Sequence, residues 1–201
     1  MLLKPQIGVQ LDHSHPLAHG LVGAWLMNEG GGIIAHDLSG HGNDGTLTNM
    51  DPATDWVPDD GGALDFDGSN DYLSLTNAFE PGSQDWWIAF WVSLDSYPAI
   101  GDEMALCGRV SDANSDGVFV NSNGDVFLRI GGTLGTKLDD SPIPLNEWTH
   151  VIVTREHTTN YVTVYFNGSK GLIFGINDTG NPWRNHLTTV FSWNITDGGV
   201  A

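Results

Sequence analysis

The chain is short of cysteine, of positive charge and of glutamate, and each shortage excludes something. Cys107 is the only cysteine, so no internal disulfide can hold the fold and a packed core must do that work. Lys and Arg total 7 against 25 Asp and Glu, a formal net charge of −18. A surface of that sign repels nucleic acid and anionic membrane. It suits a cation, a basic partner or a neutral ligand. Glutamate occurs only at Glu29, Glu80, Glu103, Glu147 and Glu156; every other acid is Asp, which favours turns over helix interiors. No apolar run approaches the length of a membrane span. The opening MLLKPQIGVQ is broken by Lys4, Pro5, Gln6 and Gln10 and does not read as a secretory signal. The chain is therefore expected to be made in a cytoplasm, without membrane insertion.

What is present is glycine, 26 residues of it, and a hydrophobic fraction of 40% with aromatics spread along the whole length. Many tight turns, little helix and one sizeable core follow. Met1–Gly20 reads as an extended arm interrupted by Pro5 and Pro16. The remainder, 21–201, reads as one domain, with no repeat and no linker. Strands are expected at Leu21–Leu26, Gly45–Leu47, Ala63–Phe66, Tyr72–Leu75, Met104–Gly108, Gly117–Val120, Val126–Ile130 and, weakly, Leu187–Trp193. The clearest is Trp86–Leu94: Trp86, Ile88, Phe90, Val92 and Leu94 fall on one face, and Trp87, Ala89, Trp91 and Ser93 on the other. Asn123-Gly124 signals a hairpin, and Trp148–Glu156 with Tyr161–Asn167 forms another. Many short strands at even spacing mean an all-β sandwich or barrel.

The ordered landmarks Leu21-Val22-Gly23-Ala24-Trp25-Leu26-Met27-Asn28-Glu29-Gly30, Asp37-Leu38-Ser39-Gly40-His41-Gly42-Asn43-Asp44-Gly45, Gly62-Ala63-Leu64-Asp65-Phe66-Asp67-Gly68 and Asn70-Asp71-Tyr72 resemble the opening of a concanavalin A-like, laminin-G-like jelly-roll domain. Glu147-Trp148-Thr149-His150-Val151 and Val164-Tyr165-Phe166-Asn167-Gly168 resemble that family's later paired strands. The resemblance implies a two-sheet antiparallel sandwich from about Leu21 to Asn167. It says little about function, because one fold hosts many sites. The arm also resembles the start of jelly-roll proteins of phage particles. The family's usual closing strand is not recognisable before Ala201: either the chain is cut short of it or that strand comes from elsewhere, and an open sheet edge would then need a partner.

Catalysis finds little footing. Glucanases of this fold carry a Glu-x-Asp-x-x-Glu strand, which is absent, and Asp102-Glu103 reads as a polar loop away from any second acid. Ser14 between His13 and His15 has imidazole neighbours in sequence only, and Cys107 sits in an apolar strand as an inert thiol. Two sets remain. Asp37, Asn43 and Asp44, among glycines, supply oxygens on a loop that either binds calcium, which the resemblance places near this end of the sandwich, or bonds its own backbone. Trp87, Trp91, Tyr165 and His150 lie opposite the core face, where aromatic rings either stack on a sugar or are covered by loops or a neighbouring subunit. The expected protein is a non-catalytic decoration or adhesion component of a particle surface, such as a phage virion, held to neighbouring subunits by its arm. The alternative is a carbohydrate-binding module that recognises a cell-surface glycan through the aromatic face.

Overall fold

The computed structural model describes residues 4–6, 9–79, 84–109, 116–129, 142–159, 161–175 and 187–192. Its strands are β1 (Ile34–Ala35), β2 (Gly45–Thr48), β3 (Trp56–Val57), β4 (Ala63–Leu64), β5 (Tyr72–Phe79), β6 (Trp86–Val92), β7 (Glu103–Arg109), β8 (Asp116–Asn121), β9 (Val126–Arg129), β10 (Thr149–Glu156), β11 (Tyr161–Phe166), β12 (Ser169–Gly175) and β13 (Leu187–Ser192). A seven-stranded sheet runs β1-β2-β5-β13-β7-β8-β9, a four-stranded sheet runs β12-β11-β10-β6, and β3-β4 form a small ribbon. Every pairing between strands is antiparallel. Helix among the described residues is confined to two single 3₁₀ turns, Pro16–Ala18 and Asp59–Gly61, and no described helix is long and apolar enough to cross a membrane. The all-β two-sheet reading therefore holds, and both sheets are open.

The two sheets bury one core. From the small sheet come Phe90, Val151, Val153, Val162 and Val164; from the large one Leu75, Met104, Leu106, Val118, Val120, Val126 and Leu128. Trp86, Ile88 and Val92 pack against this core, whereas Trp87 on the same strand is 51% exposed. The period-two assignment of the faces of β6 is thus correct.

Four details depart from the sequence reading. Leu21–Leu26 is not a strand; its polar groups bond the following loop instead of a ladder, with the amide of Ala24 donating to Asp37 Oδ1 and the indole of Trp25 donating to the carbonyl of Asn43. β12 was not expected from the sequence. It is set by Asn167 and Gly168 at φ 49° and 81°, a left-handed pair that matches the twist of a tight hairpin. β13, read as weak, is central: it lies between β5 and β7 in the large sheet. Glu103 opens β7 and does not lie in a polar loop; it pairs with the Arg129 guanidinium, which stands over the Phe119 ring.

The start of the arm rests on its own domain. The Lys4 ammonium donates to the carbonyls of Asp59 and Gly62 and lies 4.2 Å from the centroid of the Trp148 ring. The indole of Trp148 donates to Asp59 Oδ2. Gly61, at φ 101°, permits the approach, since a Cβ there would stand 2.6 Å from the Pro5 carbonyl oxygen. The arm was expected to reach neighbouring subunits; residues 4–6 lie on their own domain.

Candidate functional site

The outer face of the four-stranded sheet gathers the whole predicted aromatic set. Because β6, β10 and β11 pair antiparallel, residues in register share a face. Trp91 lies opposite His150. One step along, Ala89 lies opposite Ile152, which lies opposite Tyr165, with Lys170 beyond it on β12. In the next row Trp87 lies opposite Thr154, which lies opposite Thr163. The backing residues of these rows, Phe90, Val151, Val153, Val162 and Val164, are all buried, so the face is carried on a rigid floor.

Trp91 and His150 pack ring against ring, with centroids 4.8 Å apart and planes at 35°. The strand end that carries His150 is pinned by Asn167. The amide of His150 donates to Asn167 Oδ1, and the amide of Asn167 returns a bond to the carbonyl of His150. Burial holds the His150 imidazole below its usual range, because desolvation disfavours the charged ring. The ring is therefore neutral at pH 7. Its Nδ1 is buried without a hydrogen-bond partner. Trp91 is half-buried by this contact, while Trp87 projects into solvent.

Ala89 and Ile152 were not singled out by sequence, yet they shape the face. Ala89 is exposed and carries only a methyl group between two indoles, so a low apolar floor separates two raised rings. The alternation within Trp86–Leu94 revealed the two tryptophans. Nothing in the sequence set the register that brings Ile152 beside Ala89.

The Asp37 loop does other work. Asp37 Oδ1 accepts from the amides of Ala24 and Ser39, and Oδ2 accepts from the Ser39 hydroxyl and the Asn43 amide. Burial opposes the charge on Asp37, but these donors outweigh it and its carboxyl titrates below the usual value. Asp44 Oδ1 accepts from the Asp37 amide, and the Asn43 side-chain amide donates to the carbonyl of Val22. Calcium requires about six to eight oxygens with free lone pairs. Here four donors fill both oxygens of Asp37, and no cluster of three or more His, Cys, Asp or Glu suited to a metal occurs among the described residues. Asp37, Asn43 and Asp44 as arranged do not fit a calcium ion; they close a turn.

Nor is Cys107 poised as a nucleophile. Burial pushes the Cys107 thiol up to about 12, which keeps it protonated. Among the described residues the carboxylates at this face are Glu156 and Asp85, both at the hairpin end, where Glu156 accepts from the Thr159 hydroxyl and Asp85 from the amide of His157.

Comparison with known proteins agrees with this architecture. The family model for the concanavalin A-like lectin/glucanases superfamily matches residues 67–190. A comparison with curated proteins returns no match. Among solved structures, the Trypanosoma rangeli sialidase is similar over 85% of this chain and 27% of its own, at 14% identity and a TM-score of 0.57. The binding domain of Paraclostridial Mosquitocidal Protein 1 is similar over 86% of this chain and 44% of its own, at 16% identity and a TM-score of 0.59. The chain thus spans about a quarter of the sialidase and under half of the mosquitocidal structure, and at such identities the likeness is one of fold.

Proposed function

Because the chain belongs to the concanavalin A-like lectin/glucanases superfamily, we propose that it is a non-catalytic glycan-binding module whose site is the outer face of the β6-β10-β11 sheet. The observation that carries this reading is the pair of tryptophans on one face of β6, Trp87 exposed and Trp91 braced by His150. Aromatic rings offer flat apolar area to the C–H faces of a sugar at low entropic cost, and Trp91 is already held in place. Non-catalysis is supported by the placement of the described carboxylates of this face: Asp85 and Glu156 both lie at the hairpin end, each already accepting a hydrogen bond, whereas glycoside hydrolysis needs two carboxylates flanking the scissile bond. The anchoring of the protein to a particle through its arm has no comparable support, as residues 4–6 lie on their own domain.

The test is a glycan array probed with the intact chain, followed by calorimetric titration of the glycans that bind. Trp87→Ala and Trp91→Ala should each weaken binding by up to about tenfold, the worth of one good aromatic contact. Both variants should keep the far-ultraviolet circular dichroism of the parent. Binding left untouched by both substitutions would place the site elsewhere.

A further inference from the structure

We infer that the ligand of this face is an uncharged linear oligosaccharide lying along β6, with separate sugar units on Trp87 and Trp91. The inference rests on the glycan-binding reading above and specifies the ligand class. Its first support is spacing. Trp87 and Trp91 are four residues apart on one strand and point to one side, which sets their Cα atoms about 13 Å apart. One sugar ring cannot cover both. Between them Ala89 stands exposed, with Ile152 across from it and Tyr165 beyond. A bulky side chain at position 89 would divide the face into two pockets; alanine leaves a continuous trough whose ends are the two indoles.

The second support is charge. The chain carries a net −18, yet the rows Trp91–His150, Ala89–Ile152–Tyr165 and Trp87–Thr154–Thr163 contain no carboxylate. Burial keeps His150 neutral. Among the described residues of these strands charge enters at the margins, as Lys170 beyond Tyr165 and as Glu156 and Asp85 at the hairpin end. An anionic glycan would approach against the field of the whole molecule and meet one marginal cation. A cationic ligand would find no acid within the trough. A neutral chain loses nothing on either count.

The experiment uses the intact chain and two matched sets of probes. One set holds neutral cello-, xylo- and malto-oligosaccharides from monosaccharide upward; the other holds oligogalacturonides of the same lengths. Binding is followed by tryptophan fluorescence and confirmed by calorimetry. The expected result is weak or no binding of neutral monosaccharides and affinity that rises by about tenfold once the chain spans both indoles. Oligogalacturonides should bind more weakly at every length. Trp87→Ala should abolish the rise, so that long and short chains bind alike, and Trp87→Phe, which retains a stacking ring, should restore part of it. Ala89→Trp should block the middle of the trough and also flatten the length dependence. Monosaccharides binding as tightly as long chains, or a preference for the anionic series, would overturn the inference while leaving glycan binding intact. Failure of every glycan on a broad array would remove the glycan-binding reading itself, and the inference with it.

Discussion

Replacing Asp37 by alanine tests how the loop after Trp25 is held. The carboxylate accepts four hydrogen bonds, from the amides of Ala24, Ser39 and Asn43 and from the Ser39 hydroxyl. Hydrogen bonds to a charged group are worth about 1.5–3 kcal/mol each when buried. Four at full value would come to about 6–12 kcal/mol, as much as the whole stability margin of an ordinary domain, so the sum must be discounted. Asp37 is only partly buried, and water can reach some of the freed amides. A loss of about 2–4 kcal/mol is the expected outcome. Asp37→Asn should cost less: its amide oxygen can still accept from Ala24 and Ser39, but its NH₂ group meets the Asn43 amide donor to donor. Urea denaturation of the parent and both variants, each with calcium and with chelator, measures this. The losses should be the same in both media, because the loop holds itself. A carboxyl lowered in the folded state contributes stability above its unfolded value of 3.8, lost as pH falls through the folded value. The parent should therefore lose this contribution below about pH 4, and Asp37→Asn should lack that component. Calcium stabilising the parent but not Asp37→Ala would refute the self-bonded loop.

Phe90→Ala should cost about 3–5 kcal/mol through the cavity it leaves between Val151 and the large sheet, whereas Trp87→Ala, half exposed three residues earlier, should cost clearly less in the same denaturation experiment; equal losses would reverse the face assignment. Asp65→Asn should raise the melting temperature at pH 7. Burial, Asp95 and Asp55 raise the Asp65 carboxyl, so its stabilising contribution is present below the unfolded value and lost as pH rises through the folded one. The gain should vanish near pH 4, and a gain independent of pH would point to packing instead of charge.

The parts of the fold that were legible in the sequence are those where one strand settles its own geometry. Trp86–Val92 alternates so strictly that its core face, its solvent face and the outward placement of Trp87 and Trp91 all follow from period two. Asn123-Gly124 and the β10–β11 hairpin were legible for the same local reason. What escaped is what depends on partners distant in sequence. Leu21–Leu26 has the apolar composition of a strand, but the main-chain groups of Ala24 find Asp37 and Leu38, thirteen and fourteen residues away, and never join a ladder. β13 looks weak by composition because a strand flanked on both sides by β5 and β7 draws its stability from neighbours rather than propensity.

The aromatic face shows the same division within a single site. Sequence supplies the two rings and the side they face; it does not supply what lies between or beside them. Whether two outward-facing tryptophans form two isolated contacts or one trough is decided by the cross-strand row that passes between them, and here that row is Ala89, Ile152 and Tyr165. A slip of β10 by two residues would keep every side chain on its face. It would nevertheless set His150 or Thr154 opposite Ala89 and move His150 away from its place opposite Trp91. The inner row of buried Phe90 and Val151 and partly buried Phe166 fixes the register, so the core on the inner side determines the shape of the ligand face on the outer side. Changes that loosen that inner row, such as Val151→Ala, should therefore disturb the Trp91–His150 contact even though they touch no residue of the face.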